Sequence, residues 1–174
     1  VYLQRPDTHE WVTVGRYVAP AAPGRPGLFR YAPSYDDAGL SWSIDPRNLP
    51  YEPATDFEAV RYAGLHDVLR DTCPDAWGQA LLATEHGLGN RARPVDFLRL
   101  AGNADRWGAL AVGNTVRPAT AHLAAPSVAK LSAVVRELSA MSEGRPVLDA
   151  SLRRRLTQTL SLGGARPKAT VRDE

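Results

Sequence analysis

The chain has 174 residues, 44% of them hydrophobic and 23% charged, an ordinary globular composition with enough apolar material to build a core. Its formal net charge of +2 is too slight to argue for nucleic acid, where a clustered basic face is expected. The single cysteine, Cys73, excludes an intrachain disulfide and a cysteine-based zinc site; no apolar run approaches the ~20 residues of a membrane span, and no charged-then-apolar leader opens the chain. These features lead to the expectation of a cytoplasmic protein with no membrane partner, whose one thiol packs inertly. With Val1 in first place and no Met, a start upstream is also expected.

The first third reads as β. Val1-Tyr2-Leu3 is a short apolar run, and Pro6-Asp7 favours a turn. Trp11 to Val18 alternates as a half-buried strand does. Leu28 to Tyr31 predicts a third strand, set between Gly24-Arg25-Pro26-Gly27 and Pro33-Ser34, and Leu40 to Ile44 alternates again. From about residue 65 the period changes. Pro74 to Leu82 opens a short helix, with Pro tolerated in its first turn and Gly87 and Gly89 beyond it. Asp75 lies near that helix's N-terminus. Pro94 to Leu100 is a second short helix closed by Gly102, and Gly108 to Val112 is a returning strand.

Two longer helices follow a loop at 113–126. The first runs from about Ser127, a plausible N-cap, to Ser142, with Leu131, Val134, Val135, Leu138 and Met141 as its apolar stripe. The second starts near Asp149, another N-cap, and carries Leu152, Leu156 and Leu160. Arg153, Arg154 and Arg155 fall between those leucines and read as a solvated face. The spacing of His9, His66, His86 and His122 does not support metal ligation.

The second helix leads into Ser161-Leu162-Gly163-Gly164-Ala165-Arg166-Pro167-Lys168. Two adjacent glycines allow a tight turn whose N–H groups can approach an anion, and a neighbouring Lys or Arg adds full positive charge. The stretch fits neither the Walker A pattern nor Gly-x-Gly-x-x-Gly. On the residues alone, two readings stand: a phosphate cradle, or a helix cap at Gly163 followed by a turn at Gly164.

Several segments in order resemble the HipA-like serine/threonine kinase toxin family. SLGGARPKATV at 161–171 is similar to its glycine-rich loop. VTVGR at 12–16 and LFRYAPSY at 28–35 look like its N-terminal β-subdomain. DTCPDAWGQALL at 71–82 resembles a Leu-Pro-Asp-x-Trp-Gly helix start, and RPVDFLRLAGNADRWGALAV at 93–112 resembles the next segment, with Asp105, Gly108 and Ala109 recurring.

The resemblance implies an α+β fold: a small antiparallel β-subdomain at 1–118, then a helical connection and the beginning of a kinase N-lobe at 119–174. It implies ATP contacts at Gly163, Gly164, Ala165, Arg166, Pro167 and Lys168, and autophosphorylation at Ser161. A phosphate there adds roughly −1.5 to −2 charges beside an anion-binding loop. ATP and Mg²⁺ are the implied cofactors. The implied partners are a protein substrate, translation-related in type, and a small helix-turn-helix antitoxin (HipB-like) through which the kinase meets operator DNA. The catalytic and Mg²⁺-binding aspartates of the family lie beyond its glycine loop, so no catalytic residue is assigned within this chain, and Asp75 and Asp105 read as structural. A chain of this extent is expected to be inactive alone: part of a longer kinase, a fragment, or one chain of a divided kinase. Two other readings stay open. One is a non-catalytic regulatory subunit that docks on a kinase core in another chain, using aromatics such as Tyr35, Trp42 or Trp107. The other is an unrelated phosphate-binding α+β domain.

Overall fold

The computed structural model describes residues 1–89, 92–106, 108–119, 125–157 and 163–173. Ser161, Trp107, Leu160 and His122, all singled out above, lie outside them. The architecture is α+β, as the sequence leads one to expect. The strands are β1 (Tyr2–Gln4), β2 (Trp11–Thr13), β3 (Gly15–Val18), β4 (Gly27–Tyr31), β5 (Phe57–Ala59) and β6 (Leu110–Ala111). The helices are α1 (Pro33–Asp37), α2 (Asp67–Asp71), α3 (Ala76–Glu85), α4 (Pro94–Leu100), α5 (Leu131–Ser142) and α6 (Ala150–Thr157). The chain divides into two compact units. The first holds Val1–Cys73, Arg93–Arg99 and Arg106–Ala119, and the second holds Pro74–Ala92, Leu100–Asp105 and Thr120–Glu174.

Unit one contains two antiparallel three-stranded sheets, ordered β2-β1-β6 and β3-β4-β5. The single strand expected over Trp11 to Val18 is divided at Val14, because β2 pairs with β1 and β3 pairs with β4. Val14 is fully buried and its N–H donates to the Val1 carbonyl at 3.0 Å. Period-2 alternation runs unbroken through such a crossing, so the pattern alone does not reveal it. Gly15 makes the crossing possible. A Cβ there would collide with the Arg30 carbonyl and the Phe29 ring.

The strand expected over Leu40 to Ile44 is corrected to a loop. Leu40 is buried, the Ile44 N–H donates to Tyr31 Oη at 3.1 Å, and the Tyr51 N–H donates to Ser43 Oγ at 2.8 Å. Side chains, not a ladder, take up these backbone groups. The third strand of that sheet is β5. Helices α1 and α2, five residues each, are too short for a 3.6-residue period to show.

The core of unit one is aromatic. Val14, Phe29, Tyr31, Tyr35, Leu40 and Leu49 form one cluster. Phe29 meets Tyr31 edge-on at 5.1 Å, and Tyr35 stacks on Tyr31 at 5.8 Å. Tyr31 Oη also donates to the Leu49 carbonyl at 2.6 Å, so its one polar atom is satisfied inside. Tyr35, a candidate interface aromatic, is thus a core residue. A second cluster joins Leu65, Leu69 and Leu98. Arg106 ties its edges together, donating to the Thr72 carbonyl at 3.0 Å and the Leu98 carbonyl at 2.6 Å, and burial draws its pKa down to about 10. Cys73 is the packing thiol expected, since burial pushes its pKa up to about 11.

Unit two centres on Val134, Leu152 and Leu156, with Leu138, Met141, Ala169 and Val171 packed against them. Asp149 caps α6 as expected, its Oδ1 accepting from the Leu152 N–H at 2.9 Å, whereas Ser127, whose Oγ accepts from the Ala129 N–H at 3.2 Å, caps the 3-10 turn Val128–Lys130 that leads into α5 rather than α5 itself. The buried line of α5 differs from the expected stripe. Leu131 and Val135 are exposed, whereas Glu137 is buried with 1% exposure. Its carboxylate accepts from the N–H groups of Leu148 (3.1 Å) and Asp149 (3.0 Å) and from Arg153 Nε (2.6 Å). Arg153 is therefore drawn inward, away from the solvated face expected for all three arginines; Arg154 and Arg155 remain exposed. Hydrophobic periodicity could not anticipate a charged residue inside a stripe. Among the described residues no helix is long and apolar enough to cross a membrane.

Candidate functional site

The start of α3 and the glycine loop, 86 or more residues apart in sequence, meet within unit two. Helix α3 begins with donors that lack intrahelical partners, as every helix does. Asp75 Oδ1 takes one of them, the Gly78 N–H, at 2.8 Å. A second, the Trp77 N–H, donates to the Gly164 carbonyl at 3.3 Å. The indole Nε1–H of Trp77 donates to the Lys168 carbonyl at 3.2 Å. The second oxygen of Asp75 pairs with Lys168 Nζ at 3.1 Å. One turn of helix therefore holds the loop at both ends and holds its lysine as well.

The loop has the backbone that its glycines allow. Gly163 and Gly164 take φ values of 72° and 100°, in the left-handed region where a side chain is strained. A Cβ on Gly164 would stand 3.4 Å from Lys168 Nζ, so the ammonium lies against this glycine. Gly163 to Pro167 are exposed, and Lys168 is partly buried.

Among the described residues, no N–H from Gly163 through Ala169 donates to a protein acceptor. Pro167 has none to offer. The carbonyls of Gly164 and Lys168 are turned to Trp77, and a trans peptide points its N–H opposite to its C=O. The N–H groups of Ala165 and Ala169 therefore face away from α3. Arg166 is exposed and forms no ion pair with the described residues. Free N–H donors, an unengaged guanidinium and an ammonium with donors to spare form a surface that can accept an anion.

The structure thus brings Gly163, Gly164, Ala165, Arg166, Pro167 and Lys168 together as one loop, while Ser161 lies outside the described residues. Asp75 is at a helix N-terminus, as expected, but it also carries a role that the sequence did not reveal, the pairing with Lys168. Trp77 belongs to the Cys-Pro-Asp-Ala-Trp-Gly motif at 73–78. An indole two residues after a capping aspartate signals a helix start, and nothing in its spacing tells that it reaches a loop 91 residues away. No group of three or more His, Cys, Asp or Glu side chains able to hold a metal occurs among the described residues.

Two hollows compete less well. One of about 430 Å³ in unit two has Leu81, Met141 and Val147 on its wall together with Arg145 and Arg153, but these cations are engaged by Glu143 and Glu137. The other, about 480 Å³ in unit one, lies beside the half-exposed Trp42 and has Ser43, Asp71 and Thr72 but no cation in its lining.

Comparison with known proteins gives a family match. The family model described as HipA N-terminal domain matches residues 15–113, more than half of the chain. No curated protein and no solved structure matches.

Proposed function

The chain belongs to the HipA N-terminal domain family, and from that premise we propose that it is part of an ATP-dependent serine/threonine kinase toxin whose loop at 163–168 cradles the phosphates of the nucleotide. The observation that carries this reading is the set of loop N–H groups that no acceptor among the described residues engages, with the carbonyls of Gly164 and Lys168 turned the other way. ATP fits this donor set. Backbone N–H groups and a cation can hold anionic oxygens in the transferring group, where positioning and charge compensation dominate catalysis.

Within this reading the described residues bind and orient. The N–H groups of Gly164, Ala165 and Arg166 would meet phosphate oxygens, and the Lys168 and Arg166 charges would offset theirs. Bound ATP supplies the phosphoryl group. Mg²⁺ finds no carboxylate set in this stretch, since Asp75 is committed to the Gly78 N–H and Lys168; its ligands and the catalytic aspartate belong to family segments beyond the loop. Ser161 stands just before the loop, so a phosphate placed there would compete for the same donors. The antitoxin, the protein substrate and the operator DNA reached through the antitoxin complete the proposal.

The test is nucleotide binding. Calorimetry with Mg-ATP should show affinity for the wild type and a loss of at least about ten-fold in Gly164→Val, whose side chain crowds both the anion and Lys168. Equal affinity in the two would overturn the loop assignment. Mass spectrometry after incubation of the intact kinase with Mg-ATP should then place one phosphate on Ser161.

The half-exposure of Trp42 favours a second reading, a regulatory subunit that docks on a kinase core. In that case Trp42→Ala would abolish association with the core while leaving Mg-ATP affinity untouched.

A further inference from the structure

We propose that Trp77 and Asp75 are positioning residues for the glycine loop: they fix its two ends and its lysine so that its N–H groups stand ready for phosphate before any nucleotide arrives. The proposal rests on the phosphate-binding reading and adds to it the device that prepares the loop.

Trp77 bonds the loop twice, and at different ends. Its backbone N–H meets the Gly164 carbonyl and its indole N–H meets the Lys168 carbonyl. The five residues 164–168, headed by the second of two adjacent glycines, would otherwise sample many conformations, and ordering them on binding would weaken affinity. Fixing two carbonyls also fixes two peptide planes, and with them the outward direction of the Ala165 and Ala169 N–H groups. Trp77 is 7% exposed, so its indole meets the loop in a largely buried setting.

Asp75 divides its carboxylate between two tasks. Oδ1 caps the helix and Oδ2 holds Lys168 Nζ. Capping needs one oxygen and no charge, for asparagine caps as well as aspartate. The charge on the second oxygen is thus superfluous to the helix and useful to the lysine. Lys168 keeps two N–H donors after pairing, and its nitrogen lies against Gly164, beside the free amides. Asp75 therefore orients the ammonium without consuming it.

Simple attraction and positioning give opposite signs for one substitution. Asp75→Asn keeps the cap and removes a negative charge beside an anion site. Attraction alone predicts tighter anion binding; positioning predicts weaker binding, because Lys168 is released. Trp77→Phe keeps an aromatic ring and the backbone bond to Gly164 while deleting the indole bond to Lys168 together with the pyrrole half of the ring, so Asp75→Asn, which removes no packing volume, is its companion.

The experiment titrates the isotopically labelled chain with inorganic tripolyphosphate and follows amide resonances from Gly163 to Ala169. The wild type should saturate with shifts in these amides. Trp77→Phe and Asp75→Asn should each bind about five-fold more weakly, the equivalent of one lost hydrogen bond, with the spectrum of the remaining residues unchanged. Wild-type affinity in either variant, or tighter binding in Asp75→Asn, overturns the positioning role while Gly164→Val still loses binding and the loop reading stands. If the wild-type loop amides do not respond, or Gly164→Val responds equally, the phosphate reading itself falls and takes the proposal with it. Should Trp77→Phe not fold, Asp75→Asn decides alone by its sign.

Discussion

Unit one and unit two reach stability by different means. Unit one buries rings on rings: Phe29, Tyr31 and Tyr35 pack around Val14 and Leu49, and the polar atom of Tyr31 finds partners inside. Unit two pairs opposite charges inside. Glu137 of α5 holds Arg153 and two backbone N–H groups, and Asp75 of α3 holds Lys168. An aromatic core loses stability in proportion to the volume removed. A charged core loses it when one partner of a pair is left behind. The arrangement in unit two suits an element that must present a set geometry to a charged ligand, since an ion pair fixes direction where an apolar contact does not.

Four single substitutions and one double variant break or sharpen this contrast. Glu137→Ala leaves a partly buried guanidinium and two N–H groups without their acceptor, and should destabilise unit two by about 3 kcal/mol. Replacing both partners, Glu137→Met with Arg153→Leu, should recover most of that loss in chemical denaturation. If the double variant is as damaged as the single, the pair is not the cause. Phe29→Ala should cost about 3–5 kcal/mol through the cavity it leaves; in hydrogen exchange the lost protection should fall in β3, β4 and β5. Tyr31→Phe removes the hydroxyl that joins the Leu49 carbonyl to the Ile44 N–H, and should cost about 1–3 kcal/mol, with the loop at 40–44 exchanging faster. Asp75→Asn should change stability least, because the cap survives; its effect should appear in ligand binding.

Unit one should also respond to pH through His66. The ring is buried between Tyr17 and Phe29 and its Nε2 faces the Phe57 carbonyl at 3.2 Å. Burial lowers its pKa below the ordinary 6.5, more than Asp45 and Asp67 raise it. The unfolded chain therefore binds a proton first as pH falls. Stability should be full above about pH 6.5 and decline as pH drops through and below it. His66→Gln should flatten that slope in denaturation measured between neutral and mildly acid pH.

Much of this was legible in the residues. Capping aspartate and serine and the leucine spacing of α6 placed the helices, because each acts within one turn; Pro74, expected inside the first turn of α3, instead precedes its N-cap Asp75. The ordered motifs pointed to the family, and residues 15–113 match its N-terminal domain. What escaped notice depends on distant partners. The strand at 11–18 is divided because β1 and β4 compete for its two halves. Leu40 to Ile44 alternates without pairing because Tyr31 and Ser43 answer its neighbourhood's backbone. Glu137 interrupts an apolar stripe because residues 148, 149 and 153 return to meet it. At the candidate site the loop's glycines and cations were evident, but not the helix that holds them: the pairing of Asp75 with Lys168 spans 93 residues and leaves no periodic trace.

The most direct test of the phosphate loop compares Mg-ATP with adenosine in amide-resolved spectra of the chain. The predicted result is saturable movement of Gly164, Ala165, Arg166 and Lys168 with ATP and none in these residues with adenosine. Equal movement with both ligands, or ATP-dependent shifts confined to unit one, would contradict it.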